Sequence, residues 1–157
     1  MAQQIWLLRH GEAESGDPGA DADRRLTEQG ERESRTAGAA LAALDLEFDA
    51  LLTSPRVRAL DTARLAGEAL GLEPEVHEPL SGDFGAGAAR GLLDGRDGDA
   101  RVLLVGHEPD FGQVIHDLTG ARVHLKKGGV AAIAVKGSES ELAVVLRPRE
   151  LAAISRA

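Results

Sequence analysis

The chain has no cysteine and no tyrosine, and its aromatics amount to one tryptophan and three phenylalanines. Missing thiols exclude disulfides, thiolate zinc sites and a cysteine nucleophile. With so few aromatic rings, the core must be assembled from Leu, Val, Ile and Ala. Positive charge is also short: 18 Lys and Arg stand against 26 Asp and Glu, a formal net charge of -8. That balance argues against nonspecific nucleic-acid binding and against attachment to an anionic membrane surface. Any anionic ligand would have to be held by a local cluster of Arg and His. The longest apolar runs are far too short to span a bilayer, and no basic start leads into an apolar h-region. A cytoplasmic location is the expectation. No internal repeat is visible.

What is present reads as one domain over residues 1–157, long enough to bury a core, with 43% hydrophobic and 28% charged residues. "IWLLR" (5–9) is a short strand, apolar on both faces, and 15–25 is a polar loop. Residues 26–44 form a helix with Thr27 as N-cap, although Gly30 and Gly38 weaken it. "DALLT" (49–53) is a second strand. The helix of 54–71 follows, with Ser54 as N-cap, Pro55 at the first helical position and Gly71 closing it. Residues 75–77 suit a short edge strand, and the glycine-rich 81–99 holds a weak helix. A buried strand at 101–107, a helix at 109–120 and a hairpin of 129–135 with 141–147 complete the pattern. Such alternation implies a three-layer α/β/α sandwich on a mostly parallel central sheet.

Three strand-to-helix junctions carry unusual polar residues: Arg9-His10-Gly11, then Thr53-Ser54-Pro55 with Arg58, and finally Gly106-His107-Glu108-Pro109. In a parallel sheet, ligands bind beyond the carboxyl ends of the strands, so the three would face one crevice. Arg9 and Arg58 offer planar forks suited to phosphate oxygens, and Arg58 also lies near a helix N-terminus. Gly11 would let the backbone pass close to an anion. A neutral imidazole, His10 or His107, can attack phosphorus in line while the other donates to its oxygens. Singly, each piece has an ordinary explanation: a structural histidine, a helix start, a solvated arginine. Their joint position at strand ends carries the weight.

"LLRHGEAE", "LTEQG", "TSPRVRALDTA" and "LLVGHEPDF", in this order, resemble the histidine phosphatase superfamily of phosphoglycerate mutase-like fold. Within it they resemble the small bacterial SixA-like phosphohistidine phosphatase branch, over almost the whole chain and including "KKGGVAAI" and "LRPREL". The resemblance implies a domain without a large cap insertion and without a metal or other cofactor. It implies His10 as the nucleophile, with Arg9, Arg58 and His107 completing the phosphate pocket. Arg24 matches the family's extra loop arginine, with Arg25 its rival. It also implies a phosphorylated histidine-containing protein as partner, or else a small phosphate ester.

A committed proton donor is harder to find. Glu78 and Asp83 stand in the neighbourhood where larger relatives carry an acid, and both also read as ordinary surface acids. An alkoxide leaving group needs a proton in the transition state, whereas imidazole, with a reference pKa of about 6.5, needs far less help. The residues therefore favour P–N cleavage. Small-ester phosphatase activity and a non-catalytic phosphate-binding module are the alternatives. The five histidines show no spacing typical of metal ligands. His116, His124, Lys126 and Lys127 read as solvated or structural.

Overall fold

Strict alternation inside the first strand divides the molecule into layers. In a computed structural model describing residues 2–16 and 18–157, β1 spans Gln3–Arg9. Its Ile5 and Leu7 point into one apolar cluster, and its Trp6 and Leu8 into another on the opposite face of the sheet. The same division holds along the later strand β4, where Val102 and Leu104 face one cluster and Leu103 and Val105 the other. Burial on both faces is why these strands read as continuous apolar runs.

The remaining elements follow in chain order: α1 (Glu28–Ala43), β2 (Ala50–Thr53), α2 (Val57–Leu70), β3 (Glu75–Val76), α3 (Ala86–Gly91), β4 (Arg101–Gly106), α4 (Asp110–Thr119), β5 (Val130–Lys136), β6 (Glu139–Leu146) and α5 (Pro148–Arg156). Pro18–Asp23 and Glu78–Ser81 are 3-10 turns. The expected loop at 15–25 therefore contains a turn of its own, and its Asp17 lies outside the described residues. The six strands run in the order β3-β2-β4-β1-β5-β6. Pairs β3–β2, β2–β4 and β4–β1 are parallel, while β5 and β6 add an antiparallel margin. Ala37, Leu41, Ala59, Ala63 and Leu151 place α1, α2 and α5 on one face; Ala89, Phe111 and Ile115 place α3 and α4 on the other. The result is the expected three-layer sandwich.

Several local expectations are met by the chain. Thr27 caps α1, its hydroxyl accepting the Gly30 N–H, and Gly71 ends α2 in the left-handed region at φ 68°. Three differ. Helix α2 begins at Val57 with Arg56 as N-cap, so Ser54 is not a cap. The hairpin turn is tighter than "KGSES", with β5 running to Lys136 and β6 resuming at Glu139. Residues 148–156, beyond the last strand expected from the pattern, form α5, with Leu151 fully buried. Among the described residues, no helix is long and apolar enough to cross a membrane.

The two glycines that weaken α1 on propensity are there for packing. A Cβ on Gly38 would overlap the Ala66 carbonyl of α2, so its absence lets the two helices approach closely. Gly38→Ala gains about 1 kcal/mol of helix propensity. It should nevertheless lower stability by about 1–3 kcal/mol through overpacking. Denaturant titration reads the balance, and a more stable Gly38→Ala chain would refute this account.

Candidate phosphoryl-transfer site

Parallel register puts the three polar junctions side by side. Arg9 of β1 is opposite Gly106 of β4, and Thr53 of β2 is opposite Val105. The residues that follow, His10, Ser54 and His107, therefore emerge at one edge of the sheet. All three are buried. The His10 and His107 rings lie 5.2 Å apart, centroid to centroid, tilted by 55°.

Hydrogen bonds orient both rings. His10 Nδ1 is 2.7 Å from the Gly11 carbonyl, an acceptor only, so Nδ1 carries the proton and Nε2 keeps its lone pair. Arg58 Nε approaches that lone pair at 3.4 Å. His107 Nε2 lies 2.8 Å from Ser54 Oγ, which also accepts the Arg56 N–H. With the serine hydrogen turned to Nε2, the His107 proton resides on Nδ1. That Nδ1 is buried with no partner among the described residues, and so is Nε of Arg9. Unsatisfied buried donors are uncommon, and these two flank His10.

Burial pushes the His10 pKa down to about 4, with Arg58, Arg9 and Lys127 acting in the same direction against the Gly11 hydrogen bond. His107 is pushed down to about 3, first by burial, then by His10, Arg58 and Arg56. Both imidazoles are neutral at physiological pH. Desolvation also lowers Arg9 and Arg58, opposed by Glu108 for the former and Asp21 for the latter. A guanidinium remains charged despite such shifts. The site is accordingly a pair of neutral imidazoles between permanent cations.

Other expected residues are distributed as follows. Arg24 sits 2.8 Å from Asp21 Oδ1, in an ion cluster that Asp21 also forms with Arg56 and Arg58. Arg25 is exposed, away from that cluster. Gly11 packs against α1: a Cβ there would overlap the Gly30 carbonyl, and its N–H donates to Thr62 Oγ1 at 3.1 Å. Its close approach is thus to a helix backbone, not to the space an anion would fill. Glu78 and Asp83 are exposed, and neither has a side-chain hydrogen bond among the described residues.

Four residues carry more than the sequence suggested. Ser54 orients His107. Arg56 extends the cationic cluster. Asp21 gathers Arg24, Arg56 and Arg58; desolvation raises its carboxyl, but Arg58 and Arg24 outweigh that and hold it below its usual range. Glu108, its side chain only 4% exposed, accepts the Gly112 N–H at 2.5 Å and the Leu125 N–H at 2.8 Å. The Leu125 carbonyl in turn accepts from Arg9 Nη1 at 2.8 Å, so Glu108 fixes the segment that orients Arg9. The only local signal was that "GHEPD" clusters polar residues at a strand end.

The family model of the histidine phosphatase superfamily (branch 1) matches residues 5–94. The chain is 36% identical over 138 residues to an uncharacterized protein of Picosynechococcus sp., covering 83% of this chain and 84% of the other. It is 34% identical over 119 residues to the phosphohistidine phosphatase SixA of Escherichia coli, covering 73% of each. A solved structure of the protein histidine phosphatase SixA complexed with tungstate superposes with a TM-score of 0.84 at 26% identity. That match covers 94% of this chain and 99% of the other.

The depressed histidines make stability pH-dependent. Because their folded pKa values lie below the unfolded value, the unfolded chain takes up protons first as pH falls. Their contribution is complete above about pH 6.5 and is lost as pH drops toward the folded values. NMR titration of the imidazoles should find His10 and His107 protonating near pH 4 and 3. Between about pH 6.5 and 4, His107→Gln should lose less stability than the unaltered chain. Equal losses would contradict a neutral buried His107.

Proposed function

The chain belongs to the histidine phosphatase superfamily, branch 1, and is a phosphatase; within that family we propose that it removes the phosphoryl group from phosphohistidine on a signalling or phosphotransfer protein. The observation that carries the reading is the pair of buried donors without a partner among the described residues, Arg9 Nε and His107 Nδ1, near His10, whose Nε2 faces Arg58 Nε. With the neutral rings of His10 and His107 5.2 Å apart and the Arg58 guanidinium beside His10 Nε2, these groups suit a phosphoryl group.

In the proposed reaction His10 Nε2 attacks phosphorus in line. A new N–P bond forms as the bond to the substrate imidazole breaks, and the departing nitrogen keeps the electron pair and takes a proton from water. Arg9, Arg58 and His107 Nδ1 hold the equatorial oxygens throughout, where their charge is matched to the transition state. Arg24 stands behind Arg58 in the same cationic cluster. Water then attacks the phosphorus on His10, phosphate leaves, and Nε2 regains its lone pair. The Nδ1–H bond to the Gly11 carbonyl steadies the charge that His10 acquires when phosphorylated.

Acid chemistry favours this substrate class. The carboxylate within the cationic cluster is Asp21, held ionised by its arginines and so a poor proton donor. Glu78 and Asp83 point to solvent. A site with no protonated acid discriminates against alkoxide leaving groups and tolerates imidazole. A protein-borne phosphohistidine fits the absence of a cap insertion between β3 and β4, where only a 3-10 turn and the six-residue α3 intervene.

Rapid mixing with labelled phosphohistidine, followed by a basic quench, should trap acid-labile phosphate on the protein. His10→Ala should abolish that label; label persisting on the variant would remove His10 as nucleophile. Prior dialysis against EDTA should leave turnover unchanged, since the arginines supply the positive charge.

Rates should fall steeply with leaving-group pKa, from phosphoramidates through aryl phosphates to alkyl phosphates. Glu78→Gln and Asp83→Asn should leave phosphohistidine turnover nearly intact. A phosphoserine peptide or sugar phosphate cleaved as fast as phosphohistidine, with one of these acids essential, would favour the small-ester reading.

A further inference from the structure

Beside the site a cleft of about 570 Å³ opens at Arg9 and is walled by Lys126, Lys127, Arg147 and Arg149, with Glu12 and Glu33 opposite. The two acids are already engaged: Glu12 Oε2 accepts from Thr27 Oγ1 at 2.8 Å, and Glu33 Oε1 accepts the Glu12 N–H at 2.9 Å. Arg147 is held by Glu150, with Arg149 4.0 Å from the same carboxylate. Lys126 and Lys127 are exposed and form no ion pair among the described residues. In a chain of net charge -8, Arg9, Lys126, Lys127, Arg147 and Arg149 outnumber the carboxylates Glu12 and Glu33 in the lining, and the two lysines have no ion-pair partner among the described residues.

The lysines do not stand on a loose turn. Leu125 between Lys126 and His124 is buried, its N–H bound by Glu108 and its carbonyl by Arg9. On the other side, the Gly128 N–H donates to the Arg9 carbonyl at 3.0 Å and lies 3.1 Å from that of His10, while the Gly129 N–H donates to the Lys126 carbonyl. Residues 125–129 are thus tied to the backbone that carries the nucleophile. Lys127 is close enough to contribute to the lowering of the His10 pKa. Two unpaired ammonium groups fastened to the mouth of a phosphoryl site have a use that a solvated turn does not explain.

We propose that this cleft docks an acidic segment of the partner protein flanking its phosphohistidine, with Lys126, Lys127 and Arg149 pairing with Asp or Glu side chains. The inference rests on the phosphohistidine reading above and adds the chemistry of the partner's surface. Docking of this kind lowers KM and raises the association rate without altering the chemical step. Its contribution weakens with salt.

The test uses two phosphohistidine peptides, one flanked by Asp and Glu and one by Lys, together with free phosphohistidine. It also measures anisotropy of a labelled acidic peptide carrying plain histidine. The unaltered protein should show a KM for the acid-flanked peptide roughly three- to tenfold below that of the Lys-flanked one. In Lys126→Glu/Arg149→Glu that preference should vanish or invert, with kcat and KM for free phosphohistidine unchanged. The acidic peptide should bind the unaltered protein and not the double variant, and about 0.5 M salt should erase the difference. Equal KM values for the two peptides, or a preference that survives in the variant, would overturn the docking proposal. If no phosphohistidine substrate is turned over, the functional reading fails, and anisotropy alone then decides the cleft: binding lost in the variant supports it, while equal binding or none refutes it.

Discussion

The parallel ladder joining β1, β4 and β2 is the constraint from which the site follows. With Arg9 opposite Gly106 and Thr53 opposite Val105, three chain segments leave the sheet at the same height and in the same direction. A slip of one residue in any strand would turn its apolar set to the wrong face and move its polar terminus away from the others. The register is held because Ile5, Leu7, Val102 and Leu104 fill one core while Trp6, Leu8, Leu103 and Val105 fill the other. Core packing and site assembly are therefore one requirement. A mutation that loosens β1 would disturb His10 before it touched any polar contact.

Within that frame, burial does the electrostatic work. Withdrawing His10 and His107 from water disfavours their cationic forms, and the neighbouring arginines reinforce the effect. Two neutral rings can then lie close together without repulsion, one with a free lone pair and one with a free N–H. The same burial is costly for Arg9 and Arg58, and each has an acid that offsets part of the cost. For Arg9 it is Glu108, acting at a distance and through the Leu125 peptide; for Arg58 it is Asp21, in direct contact. Stabilising the charges without filling the space beside His10 requires such partners to stand behind the guanidiniums.

How much of this was legible depended on whether a signal was local. Thr27, Gly71 and the apolar run of 5–9 speak through their immediate neighbours, and the structure follows them closely. His10, His107, Arg9 and Arg58 were legible through motif order and their positions at strand ends. Ser54 was misread because Ser-Pro is a strong helix-start signal, while its bond to His107 joins residues 53 apart in sequence. Asp21 looked like any acid in a polar loop, since only the tertiary fold brings Arg56 and Arg58 to it. Helix α5 was overlooked although its signals were present: Pro148 at the first turn, Glu150 accepting from both the Arg147 N–H and its guanidinium, and Leu151 with Ile154 on one face. At nine residues it is too short for periodicity to stand out.

Charge distribution connects these levels. A uniformly acidic surface would repel an anion, yet the chain collects Arg9 and Arg58 beside His10, with Arg24 and Arg56 joined to Arg58 through Asp21. At physiological ionic strength, charges more than about 8 Å apart are largely screened, so an incoming anion responds to the nearest cations and not to the net charge. Polyanions gain from extended basic surfaces, whereas a single phosphoryl group needs only a few fixed donors. Under the proposed function, selectivity for one small dianion would arise from where the few positive charges are held, Arg9 by the β1–β4 register and Arg58 on the helix that follows β2.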